Sequence, residues 1–119
     1  MKKTLVVGVS LKLNRYSNLA VRRLVEHNIT TEAFGLKTGE VSGVQVKTNF
    51  NDFQDIHTIT LYIGKKHQSE YYAKILKLRP ERVIFNPGTE NPDFYNKLTS
   101  NGIHVEESCT LVLLATGQF

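Results

Sequence analysis

Gly8-Val9-Ser10 cuts short the apolar run Thr4-Leu5-Val6-Val7. Lys12, Asn14, Arg15 and Ser17 follow before a helical pattern takes over. A strand that ends in small residues and leads into a helix directs backbone N–H groups and the positive end of a helix dipole at one point. Such a point suits a phosphate. The stretch is not a full dinucleotide fingerprint: Gly8 fills the first glycine place, while Ser10 and Leu13 stand where the second and third would be. Ser10 still permits close backbone approach and adds a hydroxyl donor. Lys37 closes the second predicted strand, where NAD enzymes carry an acid for the ribose. A lysine there favours a ligand with an additional phosphate, such as coenzyme A or NADP. A second polar loop, Phe85-Asn86-Pro87-Gly88-Thr89-Glu90-Asn91-Pro92, offers Asn86 and the N–H groups near Gly88 to a phosphate or an amide. Its Pro and Gly equally serve a tight turn.

The other reactive residue types form no catalytic set. A phosphorelay receiver needs aspartates at the ends of its first and third strands, and this chain has 8–10 and 63–65 there, with no aspartate. Histidines 27, 57, 67 and 104 share no metal-ligand spacing and are expected at the surface. Cys109, the one cysteine, has no basic partner near it in sequence and precedes an apolar stretch, so a buried structural thiol is expected. A single cysteine also excludes an internal disulfide.

The elements that must hold these loops alternate between strand and helix patterns. Strands are predicted over 4–9, 30–36, 58–63, 82–85 and 103–106, with a minor strand over 44–47 after a turn at 39–43. Helices are predicted over 17–28, 68–78, from 91 to 102, and over 109–116. Ser17 is expected to cap the first helix and Asn28 to take the left-handed position at its end. Asn91-Pro92-Asp93 reads as cap, first helical proline and dipole-matched acid. This pattern predicts one α/β domain over 1–119: a Rossmann-like, doubly wound, five-stranded parallel sheet in the order 3-2-1-4-5, with helices on both faces. The ligand crevice would then open between the first and fourth strands, faced by 8–17 and 86–91, with 36–38 and 64–67 at its side.

The chain has 119 residues, 40% of them hydrophobic, and a net charge of +4. Its basic residues are scattered, without the tight cluster and interleaved aromatics that nucleic acid requires. No apolar run approaches the length of a membrane span or of a signal-peptide core. A soluble cytoplasmic protein is the default expectation. The apolar stretch 111–114 points to a homodimer through that helix face.

Val6-Val7-Gly8-Val9-Ser10 with Asn14-Arg15-Tyr16-Ser17 resembles the CoA-binding protein family, small stand-alone Rossmann-like domains similar to the CoA-binding domain of succinyl-CoA synthetase. So do Glu40-Val41-Ser42-Gly43, Asn86-Pro87-Gly88-Thr89-Glu90-Asn91, and the stretches Glu107-Ser108-Cys109-Thr110-Leu111-Val112 and Thr116-Gly117-Gln118-Phe119. The resemblance implies binding of coenzyme A, acyl-CoA or a related adenine nucleotide. It places Gly8, Ser10, Asn14, Arg15 and Ser17 around the diphosphate and Lys37 near the ribose phosphate. It sets Ile63 and Gly64 beside the adenosine, and Asn86 and Gly88 toward the pantetheine. The chain departs from the family at Gly64-Lys65-Lys66-His67, where members often carry an apolar or proline-containing segment. The phosphohistidine and second subunit that make the synthetase an enzyme are not part of the resemblance.

Binding without catalysis is the first expectation. Two others stand beside it: a small enzyme using a CoA thioester or NADP, with Cys109 or Asn86 in the chemistry, and a basic interaction protein for RNA or an acidic partner. Coenzyme A, NADP and ATP remain open as ligands.

Overall fold

A computed structural model describes residues 2–119. The chain opens with β1 (Lys3–Val7), α1 (Tyr16–Glu26) and β2 (Thr30–Phe34). A hairpin follows, β3 (Gly39–Val41) and β4 (Val44–Lys47), then a 3-10 turn (Phe50–Asp52) and β5 (Ile56–Leu61). Next come α2 (Lys65–Gln68), a second 3-10 turn (Ser69–Tyr71), α3 (Tyr72–Leu78), β6 (Arg82–Phe85), α4 (Pro92–Ser100), β7 (His104–Glu107) and α5 (Thr110–Ala115).

The sheet has seven strands in the order β3-β4-β2-β1-β5-β6-β7, not five in the order 3-2-1-4-5. All neighbours run parallel except the β3–β4 pair. The segment expected as strand three is β5, and it lies beside β1 (Thr58 opposite Thr4, Leu61 opposite Val7) rather than at the far edge. The hairpin is the reason. β4 already occupies the free edge of β2, pairing Ala33 with Val46 and Phe34 with Lys47. The next strand can only join the other side of β1. The expected turn at 39–43 is itself mostly strand; the reversal is confined to Ser42 (φ 49°) and Gly43 (φ 81°), a pair of left-handed residues whose twist matches a two-residue hairpin.

Alternation along β1 separates two cores. Leu5 and Val7 face Ile59, Leu61 and Phe85, and this layer is covered by Ile75 of α3, Phe94 and Leu98 of α4, and Phe50. Val6 faces the other way with Ala33 and Val46, under Val21 and Leu24 of α1 and Leu114 of α5. Each of these large side chains contributes roughly 1.5–3 kcal/mol by leaving water. Helices on both faces, as expected, fix the direction in which every strand delivers its following loop.

Local capping decides the helix ends. Asn91 caps α4 by accepting the Phe94 N–H at 3.3 Å, with Pro92 at the first helical position and Asp93 in the first turn. Asn28 takes φ 59° just past α1. Ser17 is not the cap of α1: Arg15 is, and its side chain makes no capping bond. The helix expected over 68–78 is broken, because the chain turns through Ser69–Tyr71 before α3 begins.

Candidate functional site

The strand order reverses between β1 and β5, so the crevice opens there, and not between β1 and the strand at 82–85. Residues 8–15 and 62–67 flank it directly, and 86–91 stands one strand further out. Gly8 carries φ 98°, and a Cβ on it would sit 2.9 Å from Ile63 Cγ1 and 3.1 Å from the Tyr62 carbonyl carbon. The loop leaving β1 therefore lies against the end of β5 only because Gly8 has no side chain. Gly8 and Val9 N–H both donate to Phe34 O, at 2.9 and 2.8 Å. Gly35 admits a second close approach, since a Cβ there would be 2.5 Å from Val9 O.

Beyond Ser10 the chain swings outward, pinned by short polar ties. Ser10 N–H donates to Ser17 Oγ at 3.0 Å, Ser10 Oγ accepts the Lys12 N–H at 3.1 Å, and Asn18 Nδ2 donates to Ser10 O at 2.9 Å. Arg22 donates through Nε to Asn18 Oδ1 at 2.9 Å and through Nη2 to Leu13 O at 2.7 Å. Leu13 at the third glycine place is thus in the exposed loop, not at a helix–strand contact. The expected cap Ser17 serves this loop instead. The first-turn N–H groups of α1 are left without a side-chain cap, and no acid stands in that turn.

Asn14, Arg15 and Lys37 are exposed, as are Lys12, Lys65 and Lys66. Among the described residues, Lys12, Arg15, Lys37, Lys65 and Lys66 form no ion pair. Leu11, Leu13, Tyr16 and Leu36 also stand out into solvent around the same rim, Leu36 at 83% exposure. Ile63 is half-buried, and Gly64 and Gly88 are exposed with open space where a Cβ would be.

Asn86 is placed differently from its expected role. It is 1% exposed, and its side chain is committed to protein partners. Nδ2 donates to Thr60 Oγ1 at 2.7 Å and to Leu61 O at 2.9 Å, while Oδ1 accepts the Thr110 N–H at 2.9 Å. It caps α5 from a neighbouring strand and fixes the base of the 87–90 loop. Beside it, the Thr60 and Thr110 hydroxyls bond each other at 2.7 Å. The Tyr62 hydroxyl nearby is buried; among the described residues none reaches it at ordinary hydrogen-bond distance, and the Thr110 and Thr60 hydroxyls stand closest in effect. Burial, with Cys109 adding to it, pushes the Tyr62 pKa up to about 12, against an opposing effect of the Thr110 and Thr60 hydroxyls. Cys109 itself is only half-buried, not the sequestered thiol expected.

The amino ends of the strands hold a concavity of about 630 Å³, lined by Thr4, Asn28, His57, Thr58, Arg82 and Phe119 among others. Arg82 Nη1 lies 3.2 Å from Glu106 and His57 Nε2 lies 3.3 Å from Glu81, while Lys2, which also lines the hollow, is exposed and in no ion pair among the described residues. Arg82 also donates to Thr58 Oγ1 and Phe119 O and stacks 4.7 Å from the Phe119 ring centre. With Lys2 its unpaired cation among the described residues, this hollow offers an anion one free charge. The uncapped, unpaired carboxyl end offers it far more.

A family model described as CoA binding domain matches residues 2–115. The chain belongs to the CoA-binding domain family. The crystal structure of an uncharacterized protein shares 44% identity with this CoA-binding domain over 100% of this chain and 98% of the other, at a TM-score of 0.95. A hypothetical protein from Pyrococcus horikoshii OT3 is 26% identical over 93% of this chain and 80% of its own, with a TM-score of 0.84. A Thermus thermophilus structure, 20% identical over 99% of this chain and 90% of its own, shares the fold at a TM-score of 0.89. Among curated proteins none matches the chain.

The CoA-binding domain thus gathers Gly8, Ser10, Asn14, Arg15, Ile63 and Gly64 on the two loops that flank the crevice, with Ser17 buried in the first turn of α1 behind them. Lys37 and Gly88 stand on neighbouring rims, and Asn86 lies beneath. Sequence reasoning missed Gly35, Asn18, Arg22 and Gln68. The three polar residues sit inside helical patterns, where a polar side chain reads as a solvated face. Of the apolar stretch 111–114 in α5, Leu113 and Leu114 are buried, Leu111 is half-buried and Val112 is exposed. Among the described residues no helix is long and apolar enough to cross a membrane.

Proposed function

We propose that this domain binds coenzyme A or an acyl-CoA without catalysing its turnover, at the carboxyl ends of β1 and β5. The uncapped N-terminus of α1, next to a glycine-permitted loop and five unpaired cations, carries this reading. Helix N–H groups favour a diphosphate, and the cations raise its local concentration. In this reading Gly8, Ser10, Asn14, Arg15 and Ser17 surround the diphosphate, and Lys37 serves the ribose phosphate. Ile63 and Gly64 border the adenosine. Gly88, on the loop that Asn86 fixes, faces the pantetheine. Exposed Leu11 and Leu36 supply apolar surface of the kind a nucleobase or a pantetheine arm covers.

The test is native mass spectrometry of gently purified protein, followed by calorimetric titration with coenzyme A, acetyl-CoA, NADP and ATP. A retained or added CoA mass is expected, along with about 2.7 kcal/mol of added stability at a hundredfold excess over Kd. Binding of NADP or ATP in place of coenzyme A would keep the site and change the ligand. No binding of any of the four at millimolar concentration would sink the reading. The half-buried Cys109 favours one rival, a thioester-using enzyme. CoA-thioester turnover that is lost in Cys109→Ala would establish that rival.

A further inference from the structure

Gln68 is 1% exposed, although Lys65, Lys66, His67 and Ser69 around it lie in solvent. Its Nε2 donates to Ile63 O at 2.8 Å and to Thr89 O at 2.7 Å, and its Oε1 accepts from Asn91 Nδ2 at 2.9 Å. Both amide hydrogens are used. They tie the loop that leaves β5 to the loop that leaves β6. Asn91 extends the tie by donating to Tyr72 Oη at 2.7 Å and capping α4. Thr89 extends it the other way, because its N–H and Oγ1 both reach Asn86 O, at 3.0 and 2.7 Å.

At their outer turns the two loops are not held by packing, although Ile63 at the root of the first packs on the core. Gly64 and Gly88, at the outer turns of the two loops, meet nothing within 4 Å where a side chain would start. An apolar residue in place of Gln68 would fill the same volume without the desolvation penalty of a buried amide, yet would strand two carbonyls and take one of Asn91's three hydrogen bonds. A buried amide with every partner in place supplies direction, which apolar packing does not.

We infer that Gln68 is a positioning residue: it sets the separation between the Ile63–Gly64 backbone and the 87–90 loop, and so the width of the crevice on its β6 side. The inference rests on the reading that coenzyme A occupies that crevice, and Gln68 acts on the ligand only through the two loops.

The experiment compares wild type, Gln68→Met, Gln68→Glu and Leu98→Ala. Leu98 is a fully buried α4 residue outside the polar network. Coenzyme A affinity is measured calorimetrically well below every melting temperature, and amide hydrogen exchange is followed at His67, Thr89 and Phe94. Gln68→Met is expected to weaken binding about tenfold, the scale of one lost hydrogen bond. It should also speed exchange at all three amides. Leu98→Ala should lower the melting temperature while leaving affinity within about twofold of wild type. If Gln68→Met does not fold, Gln68→Glu decides the matter, because it keeps the length and the acceptor for Asn91 but loses both donations. Wild-type affinity in the Gln68 variants would overturn the inference. So would faster exchange at His67 alone. If wild type binds no coenzyme A, the ligand reading fails on its own, and the exchange data still decide whether Gln68 joins the loops.

Discussion

The two ends of the sheet are built on opposite plans. At the amino ends, Arg82 faces Glu106, His57 faces Glu81, and the guanidinium is further tied to Thr58 and Phe119. At the carboxyl ends, five cations stand without acidic partners among the described residues, a helix starts uncapped, and Leu13, Tyr16 and Leu36 are exposed. The roomy hollow lies at the first end and most of the unmet bonding capacity at the second. Concavity and unmet charge therefore point to different ends, and the proposed site follows the charge. An anion is drawn to donors and charges that the protein has not already satisfied.

The most severe way to break this contrast is to deny the carboxyl end its backbone approach. Gly35→Ala would put a Cβ 2.5 Å from Val9 O, a backbone atom that cannot swing aside. A loss of about 3 kcal/mol or more is expected from such overpacking, read by urea unfolding. Gly43→Ala is the contrast, with φ 81° but open space, and should lose only about 1 kcal/mol. Next comes Asn86→Ala, which strands the Thr110 N–H and the Leu61 carbonyl in the interior. About 2–3 kcal/mol is expected, together with weaker coenzyme A binding. A variant as stable as wild type would show that water replaces the amide.

Charge separates the two ends more finely. Lys12→Ala combined with Arg15→Ala should weaken coenzyme A binding about tenfold and flatten its salt dependence. His57→Ala at the other end should leave affinity unchanged. Equal effects from both would dissolve the contrast. The smallest expected effect is at Tyr62. Its folded pKa, pushed up to about 12, lies above the ordinary 10.0. Because burial excludes the phenolate, stability is at its full value below pH 10 and falls as pH rises from 10 through 12. Tyr62→Phe should remove that slope in unfolding measured between pH 9 and 11.5. It should also raise neutral-pH stability by about 1 kcal/mol, since it deletes a buried hydroxyl that none of the described residues reaches at ordinary hydrogen-bond distance.

What could be read in the sequence followed the range of the interactions. The Asn91-Pro92-Asp93 start of α4 and the left-handed Asn28 were legible because capping is decided within a few residues. The alternation of strands and helices was equally plain. Strand order was not, because it turns on whether residues 44–47 take the edge of β2, a pairing that no local signal in either segment dictates. The glycine-serine loop announced itself, whereas the residues that hold it did not. Asn18 and Arg22 look like the wet side of α1, and Gln68 like the wet side of α2. Only the folded backbone brings a carbonyl to each. Ser17 misled for the same reason: a serine at a helix start has two possible partners, and the nearer one in sequence was not the one it took.

The hairpin at 39–47 has a consequence for assembly. Once residues 1–47 have left a ribosome, they can pair as β3-β4-β2-β1, which leaves β1 as an open edge. That edge carries Leu5, Val6 and Val7, each wholly sequestered in the finished protein. Its missing neighbour is not synthesised until residues 56–61, and the lower apolar layer waits longer still, for α3 and α4. A nascent chain paused in that interval presents a flat, oily margin to its surroundings. This domain's hazard lies in the interval between the synthesis of β4 and of β5, before the crevice exists.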